Sequence, residues 1–125
     1  MAVVTDWNKY PNFTEQEMSC SHTGKCEIDE AFMDKLQTLR TVYGKPMYVT
    51  SGYRDPTHPL EARKSKPGDH AKGVAVDIHV FGQDALDLLR YALEYGFNRI
   101  GVNQKGAWGG RFIHLGLGTP AMWSY

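Results

Sequence analysis

The chain has 125 residues, of which 42% are hydrophobic and 22% charged, as in an ordinary globular domain with one hydrophobic core. This composition argues against intrinsic disorder. Fourteen Lys and Arg residues balance fourteen Asp and Glu residues, so the chain lacks the basic excess of proteins that bind nucleic acids. We therefore expect residues 1–125 to form a single domain without a nucleic-acid partner.

The sequence shows no segment that would enter a membrane. No apolar stretch is long enough to span a bilayer, and residues 1–10 lack the basic and then apolar regions of a signal peptide. We therefore expect synthesis in a cytoplasm without membrane insertion. In that compartment Cys20 and Cys26 are expected to be free thiols, and the basic run at residues 63–66 is expected to be a solvated loop.

The N-terminal half of the chain predicts two helices. Thr14 and Glu17 have the spacing of a capping box, which predicts that a short helix starts there. Asp29 can cap a longer helix over residues 30–43, and Gly44 is placed to end it. Apolar residues recur at helical spacing on one face of this second helix, which would point into the core: Phe32, Leu36, Leu39 and Tyr43.

The second half alternates strands with one long loop and one helix. Residues 51–69 are rich in proline and have no clear period, which predicts a long loop. Residues 83–95 predict an amphipathic helix with Leu86, Leu89 and Leu93 facing inward. The predicted strands are residues 47–50, 73–80, 99–102 and 111–115. This order indicates an α+β fold with a small antiparallel sheet flanked by helices.

Three polar residues lie in or beside these apolar strands. Asp77 lies within the predicted strand at residues 73–80, and a buried carboxylate needs a partner because an unpaired charge is costly to bury. His114 has apolar neighbours on both sides. His70 precedes Asp77 by seven residues, too far along a straight strand, so the chain must bend, and Gly73 permits a bend. Two histidines and one carboxylate make a three-ligand site. Zinc uses such sites catalytically and keeps the fourth coordination position for water or substrate.

Three motifs in this order resemble the M15 family of zinc peptidases. This family includes D-alanyl-D-alanine carboxypeptidases and dipeptidases, and L-alanyl-D-glutamate endolysins of phages. The resemblance runs from about Phe13 to Tyr125, and it implies the α+β fold that DD-peptidases share with hedgehog signalling domains. The closing residues 121–125 are similar to the end of small phage and bacterial members. The motifs are Ser51-Gly52-Tyr53-Arg54, His70-x-x-Gly73-x-Ala75-x-Asp77 and Phe112-Ile113-His114.

The resemblance implies a hydrolase of peptidoglycan stem peptides with one Zn²⁺, whose ligands would be His70, Asp77 and His114. It makes Arg54 the cation that polarises the scissile carbonyl and stabilises the oxyanion, a role that suits an always-charged guanidinium. Ser51 and Tyr53 would shape the substrate pocket. The alternatives are a surface salt bridge for Arg54 and packing at the strand end for the other two.

Two positions depart from the catalytic pattern. Arg111 stands three residues before His114, where catalytic members usually carry a carboxylate that accepts a proton during hydrolysis. An arginine cannot act as a base at working pH. Gly116 stands two residues after His114, where many relatives have Asp. Other residues near the motifs are candidates for the missing base: Asp55, His58, Asp69 and His79.

Two functions therefore remain open. The first is a peptidase that degrades cell walls, either as an endolysin released from a bacterial host cytoplasm or as a component of a phage particle. The absence of a signal peptide fits release through a holin-type pore. The second is a catalytically silent zinc-binding module that binds the cell wall or virion proteins, and Arg111 favours this alternative.

Overall fold

The computed structural model describes residues 2–66 and 68–125. Met1 and Pro67 lie outside the described residues. Both belong to the predicted domain, and Pro67 also belongs to the predicted loop. The helices are α1 (Glu15–Met18), α2 (Glu30–Tyr43), α3 (Pro59–Ala62) and α4 (Gly82–Glu94). The strands are β1 (Tyr48–Ser51), β2 (Ala75–His79), β3 (Arg99–Asn103), β4 (Phe112–Gly116) and β5 (Ala121–Ser124).

The five strands form one sheet in the order β1-β2-β4-β3-β5. The pairs β1/β2, β2/β4 and β3/β4 are antiparallel, as predicted, but β5 lies parallel to β3. The α+β class is thus confirmed, and the sheet is mixed because of a last strand that the sequence did not predict. Three of the four residues of β5 are exposed, so this strand has no alternating pattern that would reveal it.

The two faces of the sheet have different surroundings, because side chains alternate along each strand. Val76 and Ile78 of β2 belong to the hydrophobic core, together with the buried residues of α2 and α4. Asp77 lies between them and points to the opposite face, where its partner in the register is His114 of β4. The next strand places Gly101 beside His114. One face of the sheet therefore forms the core and the other carries the polar residues.

Helix α2 spans the residues that the sequence predicts. The Asp29 carboxylate accepts a hydrogen bond from the backbone N–H of Phe32, and Gly44 ends the helix with a φ of 73°. The four residues predicted for its inner face are all buried. The capping box of α1 is also formed, since Thr14 and Glu17 each accept a hydrogen bond from the backbone N–H of the other. Both helix starts are thus confirmed.

The inner face of α4 differs from the prediction. Leu86 and Leu93 were expected to point inward, but they are 63% and 55% exposed, and Leu89 is half-buried. The helix has two apolar stripes with the same spacing, and the stripe with the smaller residues lies against the sheet. The small side chains of two alanines allow α4 to approach the sheet more closely, and one leucine packs in the contact between them. The buried residues of α4 are Ala85, Leu88 and Ala92.

The chain between His70 and Asp77 bends at Gly73, as predicted. Gly73 has a φ of 73°, a conformation that side chains other than glycine rarely adopt. Its carbonyl accepts a hydrogen bond of 2.9 Å from the N–H of Asp29, which ties this turn to the start of α2. A Cβ atom at position 73 would overlap the backbone carbonyl oxygen of Glu27. Strand β2 therefore begins only after this turn, at Ala75.

The long loop predicted at residues 51–69 contains one short helix, α3, and its basic run at residues 63–66 is exposed, as predicted. Cys20 and Cys26 are free thiols, also as predicted. Among the helices of residues 2–66 and 68–125, none has both the length and the apolar character required to cross a bilayer.

Replacing Gly73 with alanine tests the turn. We expect Gly73→Ala to lower the free energy of unfolding by about 2–4 kcal/mol, because the left-handed backbone and the overlap with a carbonyl both oppose a Cβ atom. Gly44→Ala is the matched control, since Gly44 also has a φ of 73° but open space around its Cβ position, and should cost about 1 kcal/mol. Guanidinium chloride unfolding with a chelator present measures both, and equal losses would contradict the overlap.

Candidate metal centre

The polar face of the sheet and the loop after β1 enclose a cleft of about 530 Å³. Strands β2, β3 and β4 supply its floor, the segment around His70 supplies one wall, and β5 with Tyr125 supplies another. The residues that line the cleft are Arg54, Leu60, Lys64, Gly68, Asp69, His70, Asp77, Arg99, Phe112, His114, Trp123 and Tyr125.

Three buried side chains converge at the bottom of this cleft. The register of β2 and β4 places Asp77 opposite His114, and His114 Nδ1 lies 3.0 Å from Asp77 Oδ1. The turn at Gly73 brings His70 to the same carboxylate, with its Nε2 3.3 Å from Asp77 Oδ1. One nitrogen or oxygen atom from each of the three residues lies within 4.8 Å of the other two. The structure thus brings together the three residues that the sequence singled out.

The ring of His70 is held so that Nε2 faces the other two residues. Its Nδ1 lies 2.8 Å from the carbonyl oxygen of Gly52. A carbonyl only accepts hydrogen bonds, so Nδ1 donates to Gly52, and Nε2 is the nitrogen that faces Asp77 in the cleft. The backbone carbonyl of His70 accepts a hydrogen bond of 3.2 Å from the N–H of Arg54, which links this turn to the end of β1.

The electrostatics of the cleft keep its carboxylates ionised. Burial raises the pKa of Asp77, but hydrogen bonds from His114 and His70 outweigh it and hold this pKa well below the usual value. Burial likewise opposes ionisation of Asp69, yet its bonds to His114 and Arg99 lower its pKa to about 2. For His114, burial lowers the pKa, and the two carboxylates reverse that effect and raise it. The site therefore offers carboxylate oxygens as anionic ligands.

The donor set fits a zinc ion. Two imidazole nitrogens and one carboxylate oxygen are ordinary zinc ligands, and tetrahedral coordination at about 2.0–2.1 Å separates neighbouring ligand atoms by roughly 3.4 Å. The distances of 3.0 and 3.3 Å from Asp77 Oδ1 to the two histidine nitrogens are close to that separation. The cleft above the three residues is open, so a fourth position would be accessible to water or substrate.

Arg54 lies at the edge of this centre and is mostly buried, with 19% of its side chain exposed. Its Nη2 is 3.6 Å from Asp77 Oδ2, and its Nη1 is 3.6 Å from Glu61 Oε2. Its Nε–H donates a hydrogen bond of 3.1 Å to Ser51 Oγ. Glu61 is a buried carboxylate that the sequence analysis did not single out, and it is fixed by the N–H of Gly68 and by Lys64. Arg54 is therefore held in place on three sides.

Ser51 and Tyr53 lie beside a second cavity of about 420 Å³ and do not line the cleft with the three converging residues. Arg54 lines both cavities. Tyr53 is buried, and its hydroxyl donates a hydrogen bond of 3.0 Å to Glu27 Oε2. The structure thus places Ser51 as a hydrogen-bond partner of Arg54 and Tyr53 in the core below it.

Only one of the four candidate bases lines the cleft. Asp69 does so, with its Oδ2 3.3 Å from His114 Nε2. Asp55 accepts hydrogen bonds from the amide and the hydroxyl of Thr57, and His58 caps the start of α3. These two residues are engaged in local turns, away from the three converging side chains.

Arg111 and His79 lie together outside the cleft. The Arg111 guanidinium stacks on the ring of Trp108 at 4.1 Å and donates two hydrogen bonds to the carbonyl of Gly106. His79 Nδ1 lies 2.9 Å from the carbonyl oxygen of Arg111, so it donates there. Arg111 precedes β4, and its guanidinium is not among the groups that line the cleft.

Sequence reasoning missed the wall formed by Arg99, Trp123 and Tyr125. Arg99 lies on β3 and Trp123 on β5. The two residues share one wall because these strands are parallel neighbours in the sheet. That pairing is formed across a long connection, and the sequence gives no local signal for it. Gly101 was the one hint, since a strand glycine indicates close approach of another group, and the Trp123 indole lies over it.

Comparison with known proteins agrees with this geometry. The sequence profile of the Peptidase M15 family matches residues 11–116. The chain is 30% identical over 103 residues to the peptidoglycan L,D-endopeptidase MepK of Escherichia coli K12, of Escherichia coli O157:H7 and of Shigella flexneri. The match covers 77% of this chain and 54% of each relative, so the chain spans about half the length of these relatives. The chain belongs to the M15 peptidase family.

Proposed function

We propose that the chain is a zinc-dependent peptidase that hydrolyses bonds in the stem peptides of peptidoglycan. The observation that carries this proposal is the convergence of His70, Asp77 and His114 at the bottom of an open cleft, with Arg54 beside them. Metal dependence is a property of the M15 family, and the similarity to the peptidoglycan L,D-endopeptidase MepK supports the substrate class.

The residues of the cleft have separate roles in this proposal. His70, Asp77 and His114 hold the zinc ion. When bound, zinc supplies a Lewis acid that brings the pKa of water towards neutrality. The guanidinium of Arg54 donates hydrogen bonds to the carbonyl oxygen of the scissile bond and stabilises the negative charge that develops on it. Its contacts to Glu61 and Ser51 fix the guanidinium in advance, which lowers the cost of positioning it.

The charges in the cleft support an acidic peptide as substrate. Three basic side chains, Arg54, Lys64 and Arg99, line it against two acidic ones, Asp69 and Asp77. A divalent cation adds further positive charge, so the loaded cleft attracts negative groups. Peptidoglycan stem peptides carry several free carboxylates, which match this field. We infer that the protein acts at the bacterial cell wall, and its resemblance to small phage members supports an endolysin or a virion component.

A catalytically silent zinc-binding module is the second candidate. It is favoured by the position of Arg111, which replaces the usual carboxylate and stacks on Trp108 outside the cleft. The one acidic residue of the described lining that is not a proposed ligand, Asp69, already accepts hydrogen bonds from two neighbours. In this case the cleft would bind stem peptides or virion proteins without cleaving them.

Digestion of purified peptidoglycan separates the two candidates. We expect the zinc-loaded protein to release fragments cut at one defined stem-peptide bond, and a chelator to stop the release. Mass spectrometry of the fragments identifies the bond. If zinc is bound and sedimentation shows adsorption to cell walls, but no new amino termini appear between pH 5 and pH 9, the silent module is the correct function.

Removal of one proposed ligand tests the metal site directly. We expect His114→Ala to reduce the zinc content from about one ion per chain to near zero, because two ligands hold zinc far more weakly than three. The rise in melting temperature on adding zinc should vanish with it, since metal binding is coupled to folding. The exposed His22 provides the control variant, His22→Ala. Zinc content by elemental analysis that stays unchanged in His114→Ala would remove His114 from the ligand set.

Arg54→Ala tests the role of the guanidinium. We expect kcat to fall by about 10²–10³, the effect of removing one oxyanion donor, with zinc content unchanged. Arg54→Lys should recover only part of the rate, because an ammonium lacks the planar fork. Arg90→Ala, at an exposed position of α4, is the control. Steady-state hydrolysis of a stem peptide gives kcat and KM. Full activity of Arg54→Ala would exclude the guanidinium from the mechanism.

A further inference from the structure

The ring nitrogen of His114 that faces away from Asp77 also has a hydrogen-bond partner. Its Nδ1 points to Asp77, and its Nε2 lies 3.3 Å from Asp69 Oδ2. Carboxylates only accept hydrogen bonds, so both ring nitrogens of His114 face acceptors. A metal ion bound beside Asp77 would take Nδ1 as its ligand, and Nε2 would keep its proton for Asp69. A histidine ligand that gives its second N–H to a carboxylate has a fixed tautomer and a fixed ring orientation.

Asp69 is itself held in place by Arg99. The Arg99 Nε–H donates a hydrogen bond of 2.7 Å to the same Asp69 oxygen that faces His114, and Arg99 Nη1 donates one of 2.6 Å to the carbonyl of Thr119. The backbone carbonyl of Asp69 accepts the N–H groups of residues 72 and 74 within the turn. Side chain and backbone of Asp69 are therefore both anchored, and the carboxylate has little freedom to leave His114.

Trp123 closes the arrangement from the third side. Its ring lies 5.0 Å from the ring of His114, and the guanidinium of Arg99 lies 5.4 Å from the indole. Gly101 makes room for the indole, since a Cβ atom there would lie 2.5 Å from Trp123 Nε1. Trp123 belongs to β5, which follows the segment that matches the family profile.

Gly116 lies beside the ring nitrogen of His114 that Asp69 approaches. Residue 116 follows His114 by two positions in β4 and so lies on the same face of the sheet. A Cβ atom at this position would lie 3.2 Å from His114 Nε2. This chain has no side chain at that position, and a carboxylate from the turn before β2 approaches the same nitrogen.

We propose that Asp69, Arg99 and Trp123 form a clamp that positions His114 and presents its Nδ1 to the metal ion. The clamp rests on the proposed zinc site. Its members are positioning residues, because they act through His114. Asp69 Oδ2 accepts hydrogen bonds from both Arg99 and His114. Because this oxygen is already engaged, the role differs from that of a general base.

The Asp69→Asn variant tests the clamp with the full chain. An amide can offer its NH₂ group to Nε2 and so favour the tautomer with a proton on Nδ1, where the metal should bind. We expect the zinc affinity, measured by competition with a chromophoric chelator, to fall about 10–100-fold. The visible absorption spectrum of the Co²⁺-loaded variant should shift in position and intensity. Asp84→Asn, an exposed aspartate of α4, should leave both readouts unchanged.

A second variant keeps the test independent of how well Asp69→Asn folds. Arg99→Met removes the anchor of Asp69 and the cation over Trp123, and it should weaken zinc affinity in the same direction. Because both act through His114, the double variant should lose less affinity than the sum of the two single losses.

The outcomes separate the clamp from the metal site. Unchanged zinc affinity and an unchanged Co²⁺ spectrum in both Asp69→Asn and Arg99→Met would overturn the clamp while leaving the zinc site intact. Loss of kcat in Asp69→Asn with unchanged affinity and spectrum would also overturn it, in favour of proton transfer by Asp69. A wild-type chain that binds neither Zn²⁺ nor Co²⁺ would refute the metal site itself, and the clamp with it.

Discussion

A carboxylate buried in the middle of a sheet costs several kcal/mol unless donors or cations surround it. Asp77 meets this condition with His70 and His114 at one oxygen and Arg54 near the other. These three partners come from the turn before β2, from β4 and from the loop after β1. Their positions are thus not independent, because each is needed to balance the same charge. A change that displaces one of them leaves Asp77 undercompensated, and this constraint ties the chemistry of the cleft to the stability of the sheet.

Small residues determine where chemistry can take place on this sheet. The core face is filled by branched and aromatic side chains, whereas the polar face has glycine at two positions beside His114. Gly101 admits the indole of Trp123, and Gly116 lies beside the His114 nitrogen that Asp69 approaches. The carboxylate next to this nitrogen comes from the turn before β2.

The sequence predicts local features well and long-range pairing poorly. Helix α2 could be predicted to the residue, because a capping aspartate and a terminal glycine mark its ends. The pairing of Asp77 with His114 could be predicted because polar residues in apolar strands need partners, and the approach of His70 follows from the bend at Gly73. The inner face of α4 could not, since two apolar stripes share one spacing and only packing chooses between them. β5 could not either, because it pairs with a strand distant along the chain and most of its residues are exposed.

The hydrogen bond between Gly73 and Asp29 has a consequence for the motions of the cleft. Asp29 caps α2, and its own N–H is bound by the turn that carries His70. A backbone hydrogen bond therefore couples the first turn of this 14-residue helix to the segment that carries His70. Fraying at the start of α2 would loosen His70, and a cation held by His70 would in turn suppress that fraying. Occupancy of the cleft and amide exchange at the helix start would then be coupled, although helix and cleft lie on opposite faces of the sheet.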